Sequence, residues 1–184
     1  MNTVTTEQTH LTPTRSAITL THISAYLSTL LVAAIFGFFY AWVCSTMWGL
    51  DAADPRVAIE AMQAMNASVR NPVFFPAFFL TPLALGITAA LAWRSGGKEA
   101  AVLFLVAGGL YFFGGLLLTT AVNIPMNEAL AATPVPEAID EAARIWTDYS
   151  STWQWANLCR TIVSGVSVVL TSVGITMLHR RSGR

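Results

Sequence analysis

The chain has 184 residues, 54% of them hydrophobic and only 11% charged, with ten basic and ten acidic side chains. Soluble domains carry about 25% charged residues, so an ordinary water-exposed globular surface is excluded. The zero formal net charge leaves no basic field for nucleic acid, and two cysteines with no CxxC or Cys/His ladder leave no framework for structural zinc.

Residues 1–17 are polar and threonine-rich, and read as a flexible tail. They do not read as a secretory leader, because the apolar run that follows far exceeds an h-region of about 7–15 residues. Four apolar runs cover residues 18–47, 72–93, 100–122 and 155–178. Each reaches the roughly 20 residues of helix that cross a hydrocarbon layer of about 30 Å. The expected fold is an all-α membrane protein, an antiparallel four-helix transmembrane bundle. Its single membrane domain covers residues 18–179, followed by a basic tail over 180–184.

In the first run Gly37, Tyr40, Cys44 and Met47 recur at helical spacing, a stripe expected to face neighbouring helices. Trp48 stands at a turn, as an interfacial tryptophan does. Asp54 followed by Pro55 supplies an N-cap and a proline for the first helical position. Residues 56–70 then read as a short amphipathic helix. Ala58, Met62, Met65 and Val69 occupy one face, and Glu60, Gln63 and Asn66 the other. Asn71 caps the second run. Pro82 lies inside that run, where a neighbouring helix must satisfy the carbonyl it frees. Gly108, Gly109, Gly114 and Gly115 make the third run suited to close helix packing. Pro125 is expected to end or bend that run. Pro136 can open a helix over residues 137–152, an outer helical segment leading into the fourth run.

Charge sets the topology. With the N-terminus in the cytoplasm, Arg15, Arg94, Lys98, Arg180, Arg181 and Arg184 all lie inside, as the positive-inside rule asks. Both termini are then cytoplasmic in a multi-pass protein of the cell membrane. The long connections 48–71 and 123–154 lie outside. Cys44 and Cys159 fall near the same end of their helices, which leaves a disulfide or two apolar thiols open. His22 and His179 both fall near the cytoplasmic end, and His10 in the tail.

The residues that carry chemistry gather at the outer end. At 100° per residue, Trp146, Tyr149, Trp153, Asn157 and Arg160 fall within an arc of roughly 80° on one helix, and Ser164 and Ser167 continue the stripe. Such a face belongs inside the bundle or in a water-filled pocket. Arg160 lies inside the fourth run, where an unpaired charge costs on the order of 2.5–3.5 kcal/mol. It reads two ways: a structural tie or snorkelling side chain, or an oxygen-binding group in a pocket. The expected partners are Asn123, Asn127 and Glu128 at the end of the third run, and Glu60, Gln63 and Asn66 on the first outer connection. Asn123 and Asn127 likewise read as helix-terminus caps or as pocket amides.

Several linear pieces resemble one family. They are Met47-Trp48-Gly49-Leu50, Ala61-Met62-Gln63-Ala64-Met65-Asn66, Asn123-Ile124-Pro125-Met126-Asn127-Glu128, and the ladder from Trp146 through Tyr149, Trp153, Asn157 and Arg160 to Thr161. Together they are similar to the DUF1772, or anthrone oxygenase-like, family of four-span membrane proteins, over about residues 40–161. Many members of that family carry a histidine directly after the asparagine of the ladder; here that position is Leu158.

The resemblance implies oxidation of a planar, anthrone-type aromatic by oxygen, with no metal and no other cofactor. It implies Arg160, Asn127 and Glu128 as catalytic candidates. Trp146, Tyr149, Trp153, Asn157, Asn123 and Asn66 are the candidates for binding the substrate. The implied partners are the lipid bilayer and a planar aromatic or other lipophilic small molecule, with the oligomeric state left open. The competing reading is a non-catalytic membrane accessory protein, or a binder of a lipophilic small molecule. A transporter fits less well, because Arg160 is the one ionisable residue at membrane depth. An adhesion protein of the claudin kind lacks its paired cysteines in the first outer connection.

Overall fold

The computed structural model describes residues 15–182. The expected tail over 1–17 lies outside them as far as residue 14, and residues 15–17 already belong to the first helix. The basic tail over 180–184 is helical to residue 182, with 183–184 outside the described residues.

Every regular element among the described residues is helical. α1 (Arg15–Ala41) continues through a π-helical turn (Trp42–Thr46) into α2 (Met47–Asp51). α3 (Pro55–Ser68) and α4 (Phe74–Arg94) follow. α5 (Lys98–Leu110) runs on through two π-helical segments, Tyr111–Leu117 and Thr119–Asn123, into α6 (Ile124–Ala131). α7 (Ile139–Ser182) is one unbroken helix. Four stretches are long and apolar enough to cross a membrane: Ser16–Asp51, Phe74–Arg94, Lys98–Ala131 and Ile139–Arg181. The chain is a multi-pass membrane protein.

The long helices pack in a ring, α1 beside α4 and α7, and α5 beside α4 and α7. Cross-helix contacts fix them as antiparallel neighbours. Ser24 meets Thr88 and Phe38 meets Phe74 across α1 and α4. Ser167 bonds the Ala107 carbonyl across α7 and α5, and His22 meets His179 across α1 and α7. The α4–α5 turn is tight because Gly96 takes φ 83°, which only glycine adopts without strain. Gly114 allows the first π-helical segment and α7 to close together: a Cβ there would stand 2.8 Å from Val163. Gly108 meets Leu85 in the same way, whereas Gly109 faces open space.

α7 has 44 residues, about 66 Å at 1.5 Å per residue. That is roughly twice a hydrocarbon core, so its N-terminal half stands with α3 and α6 at one end of the bundle. α3 is built as its sequence implies: Asp54 accepts from the Arg56 N–H as N-cap, and Pro55 opens the helix. The Asp54 carboxyl is also bonded twice by the Arg56 guanidinium. Those bonds lower its pKa from 3.8 to about 2.

Three expectations need correction. The stripe Gly37, Tyr40, Cys44 and Met47 is not the inner face of the first span; only Met47 is buried. Val32, Ile35, Phe39 and Trp42 face inward instead, and the π turn carries that face on from Trp42 to Met47, five residues later. Pro125 does not end the third span. Ile124 donates to the Thr119 carbonyl five residues back, and Pro125 falls in the first turn of α6, where its missing N–H matters least. Asn66 is not on the outward face of α3. It is buried with Ile59 and Met62, while Glu60 is exposed.

Candidate functional site

The ladder on α7 faces the interior. Trp146, Tyr149, Trp153, Asn157, Arg160, Ser164 and Ser167 are all buried, as one regular helix with that spacing requires. The first three are held by polar contacts from other elements. Trp146 Nε1 donates to Asp51 Oδ1 at 2.9 Å, and Gln154 donates to the other oxygen of that carboxylate. Tyr149 Oη and Trp153 Nε1 both donate to Asn127 Oδ1, at 2.8 and 3.0 Å. Asn66 Nδ2 in turn donates to Tyr149 Oη. Asn127 thus ties α6 to α7, and Asn66 adds α3. Gln63 completes the frame by donating to the Leu130 and Thr133 carbonyls at the end of α6.

Below this frame lies a cavity of about 890 Å³. Phe38 and Phe39 of α1, Phe74 and Phe78 of α4, and Trp153 of α7 supply its aromatic walls. Asn66, Asn123, Asn127, Glu128, Asn157 and Arg160 line it as well. Seven of the nine sequence-predicted site residues therefore meet at one cavity. Trp146 and Tyr149 do not line it. They pack on each other with ring centres 5.9 Å apart, in the apolar cluster above.

Arg160 is 4% exposed. Its guanidinium lies 4.5 Å from the Phe39 ring centre and 5.2 Å from that of Trp153, within cation–π range. It donates to Thr119 Oγ1 at 3.2 Å and to Asn157 Oδ1 at 2.9 Å, while Asn157 Nδ2 donates to the Phe39 carbonyl. The expected pairing with residues 123–128 is not what holds it. The partner on that helix is Thr119, one turn earlier, because the helix does not break at Pro125. The ion pairs among the described residues are Arg56–Asp54 and Arg70–Glu128, so Arg160 has no counter-charge among them.

Two polar groups here are left over. Asn123 is 1% exposed, and neither its Nδ2 nor its Oδ1 has a hydrogen-bond partner; Arg160 Nε has none either. A buried unpaired polar group costs about 1–3 kcal/mol, so each such group calls for an explanation. Asn127 Nδ2 and Asn66 Oδ1 also make no hydrogen bond within the described residues. Unpaired donors and acceptors thus gather in the polar wall of the cavity, beside its aromatic residues.

Glu128 sits at the mouth, not in the depth. Its side chain is 61% exposed and lies 3.6 Å from the Arg70 guanidinium. The residue pattern 68–170, more than half of the chain, matches the family described as anthrone oxygenase. The chain belongs to the anthrone oxygenase family. Curated proteins and solved structures yield no match. The family match covers α4, α5, the two π-helical segments, α6 and the ladder of α7, the elements that carry Asn123, Asn127 and Arg160.

Leu158, where many members of the family have histidine, does not reach the large cavity. It lines a second, smaller cavity of about 380 Å³ with Trp48 and Trp155, on the other side of Trp42 and Asn157. Cys44 and Cys159 are free and exposed, so no disulfide joins them. His22 and His179 lie at the opposite end of the bundle, rings 4.6 Å apart, each donating to a carbonyl of its own helix.

Two contributors escaped the sequence. Asp51 gave no periodic signal, because it stands at the end of α2. Tyr111 Oη donates to the Phe78 carbonyl at 2.9 Å. That carbonyl lies four residues before Pro82 and is the one whose helical donor proline removes. The need for such a donor was legible in Pro82; its identity was not.

Proposed function

We propose that this membrane protein oxidises a planar, anthrone-type aromatic with molecular oxygen, using its own side chains and no added cofactor. The observation that carries this reading is the pairing, among the described residues, of a buried guanidinium lacking a counter-charge with an unpartnered asparagine in an aromatic-walled cavity. An anthrone carries an acidic C–H opposite its ketone. Loss of that proton leaves an electron-rich oxyanion, which reacts with oxygen directly. One oxygen atom ends on the carbon as a second ketone, and the other leaves as water with the two hydrogens.

The side chains divide that work. Arg160 Nε–H and Asn123 Nδ2–H hold the ketone oxygen as negative charge develops on it, where fixed donors in a dry site act most strongly. Trp153, Phe39 and Phe78 stack on the flat rings. Asn127 Nδ2 and Asn66 Oδ1 meet substituents nearer the mouth. Glu128 is the carboxylate lining the cavity and takes the proton there.

The second reading, a non-catalytic binder of such a molecule, is favoured by the place of Glu128: it is exposed, ion-paired to Arg70, and distant in character from the buried depth. Purified, metal-chelated protein given emodin anthrone under air decides between them. Turnover above the spontaneous background supports the oxidase. Binding of the corresponding anthraquinone without such turnover supports the binder. The basic residues of the α4–α5 turn and of the end of α7 favour a cytoplasmic side there, with the cavity at the outer face. An active C-terminal alkaline phosphatase fusion would invert that orientation.

A further inference from the structure

The depth of the cavity is polar, but one of its edges is bare hydrocarbon. α4 stays packed against α5 and the first π-helical segment as far as Leu117, and makes no comparable packing with Thr119–Asn123 or α6. Phe75 and Phe79 stand about 100° round α4 from the half-buried Phe74 and the buried Phe78. They are 41% and 46% exposed, yet both still line the cavity. Ile124 of α6 lines the cavity as well. The gap thus lies between two membrane-crossing stretches, and its rim is aromatic and aliphatic. The other rim, at the end of α3, is polar. It carries Ser68 and Asn71 and is crossed by the Arg70–Glu128 pair.

We propose that the cavity is loaded sideways from the bilayer, through the gap between α4 and α6, by a molecule dissolved in the hydrocarbon layer. This rests on the reading of the cavity as a substrate site, and it narrows the substrate class. The molecule is apolar enough to partition into lipid, flat enough to pass between α4 and α6, and carries an oxygen at its leading end. A lipid-dissolved molecule loses no solvation on passing the apolar rim and gains the unused hydrogen bonds of Asn123 and Arg160 on arrival. The α3 rim remains the route by which water, and a proton reaching Glu128, exchange with the aqueous side.

The test uses labelling, so that it stands apart from catalysis. A cysteine is placed in the depth by Asn123→Cys, and in parallel by Phe38→Cys should the first fail to fold. Both are made in a Cys44→Ser, Cys159→Ser background and held in phosphatidylcholine nanodiscs. N-dodecylmaleimide delivered in the lipid is expected to label the cysteine. Ile124→Trp is expected to slow that labelling by about tenfold or more, equivalent to roughly 1.4 kcal/mol of barrier. Ser68→Trp, at the polar rim, is expected to leave it unchanged. The proposal is overturned if Ser68→Trp slows labelling and Ile124→Trp does not. It is also overturned if the lipid-borne reagent leaves both cysteines unmodified. Labelling that follows the predicted pattern in a protein with no anthrone turnover would reject the oxidase reading and leave lateral loading in place.

Discussion

Thr21, Ser28, Thr88 and Thr171, toward the α4–α5 turn, are as buried as Asn123 and Arg160 toward α3 and α6. Yet every one of those hydroxyls is hydrogen-bonded, mostly to a carbonyl of its own helix three or four residues back. In the other half, among the described residues, both polar atoms of the Asn123 side chain and Arg160 Nε are enclosed without a hydrogen-bond partner, in residues of the cavity wall. Polarity at membrane depth is common to both halves; among the described residues, lack of satisfaction is confined to one. The difference teaches where to look for chemistry in a helical membrane bundle. A polar residue that has closed its own hydrogen bonds is packing. One that is buried and still unpaired is waiting for a partner that the chain does not supply.

The largest effect expected from breaking this contrast is at Arg160. Arg160→Ala removes the guanidinium from between Phe39 and Trp153, and leaves Asn157 Oδ1 without its donor. Anthrone turnover should fall by about tenfold or more, roughly 1.4 kcal/mol in barrier. Thermal unfolding in detergent should show a loss of about 1–3 kcal/mol for the acceptor left unpaired. Unchanged turnover with the same stability loss would make Arg160 a structural tie alone.

Next comes Tyr111→Phe, which strips the donor from the Phe78 carbonyl. It should destabilise by about 1–3 kcal/mol. In a double-mutant cycle, Pro82→Ala should recover most of that loss, because the restored N–H serves the same carbonyl. Additive losses would show that Tyr111 acts elsewhere.

Thr88→Val probes the satisfied half. Interhelical hydrogen bonds of this kind average about 0.6 kcal/mol in membrane proteins. The stability change should be of that size, with turnover untouched.

The smallest effect is at the water-exposed cap. The Asp54 pKa is held near 2 by Arg56, below its ordinary 3.8. A depressed carboxylate contributes fully above the unfolded value and is lost as pH falls through the folded one. Asp54→Ala should therefore lower stability at neutral pH, and the difference from the parent should close between about pH 4 and pH 2. A difference that persists below pH 2 would assign the effect to lost packing.

The four spans were legible because hydropathy over 20 or more residues needs no knowledge of neighbours. The α7 ladder was legible because that helix is regular from Ile139 to Ser182, so a period of 3.6 carries directions correctly from Trp146 to Ser167. The inner face of α1 was not, since the π turn at Trp42–Thr46 changes the phase there. Counting back from Met47 at α-helical spacing lands on the exposed Cys44, Tyr40 and Gly37. Asn66 was assigned to the wrong face because α3 buries a wider arc than its apolar residues cover, and that arc includes one amide with a partner on α7. Arg160 was rightly singled out as needing acceptors. Its partner lay one turn away from the expected segment, since the continuity of the helix through Pro125 depends on a π turn that local composition does not announce.

Asn123 is the residue that most sharply separates the two halves. Asn123→Leu removes both unpaired polar atoms while leaving the aromatic walls in place. Stability in detergent and the affinity for a planar anthraquinone, read by quenching of tryptophan fluorescence, should be measured on the same preparation. The prediction is stability equal to or above that of the parent, with affinity weakened by about tenfold or more. A protein that loses stability and binds the anthraquinone as before would contradict it, and Asn123 would then belong with the satisfied half of the bundle.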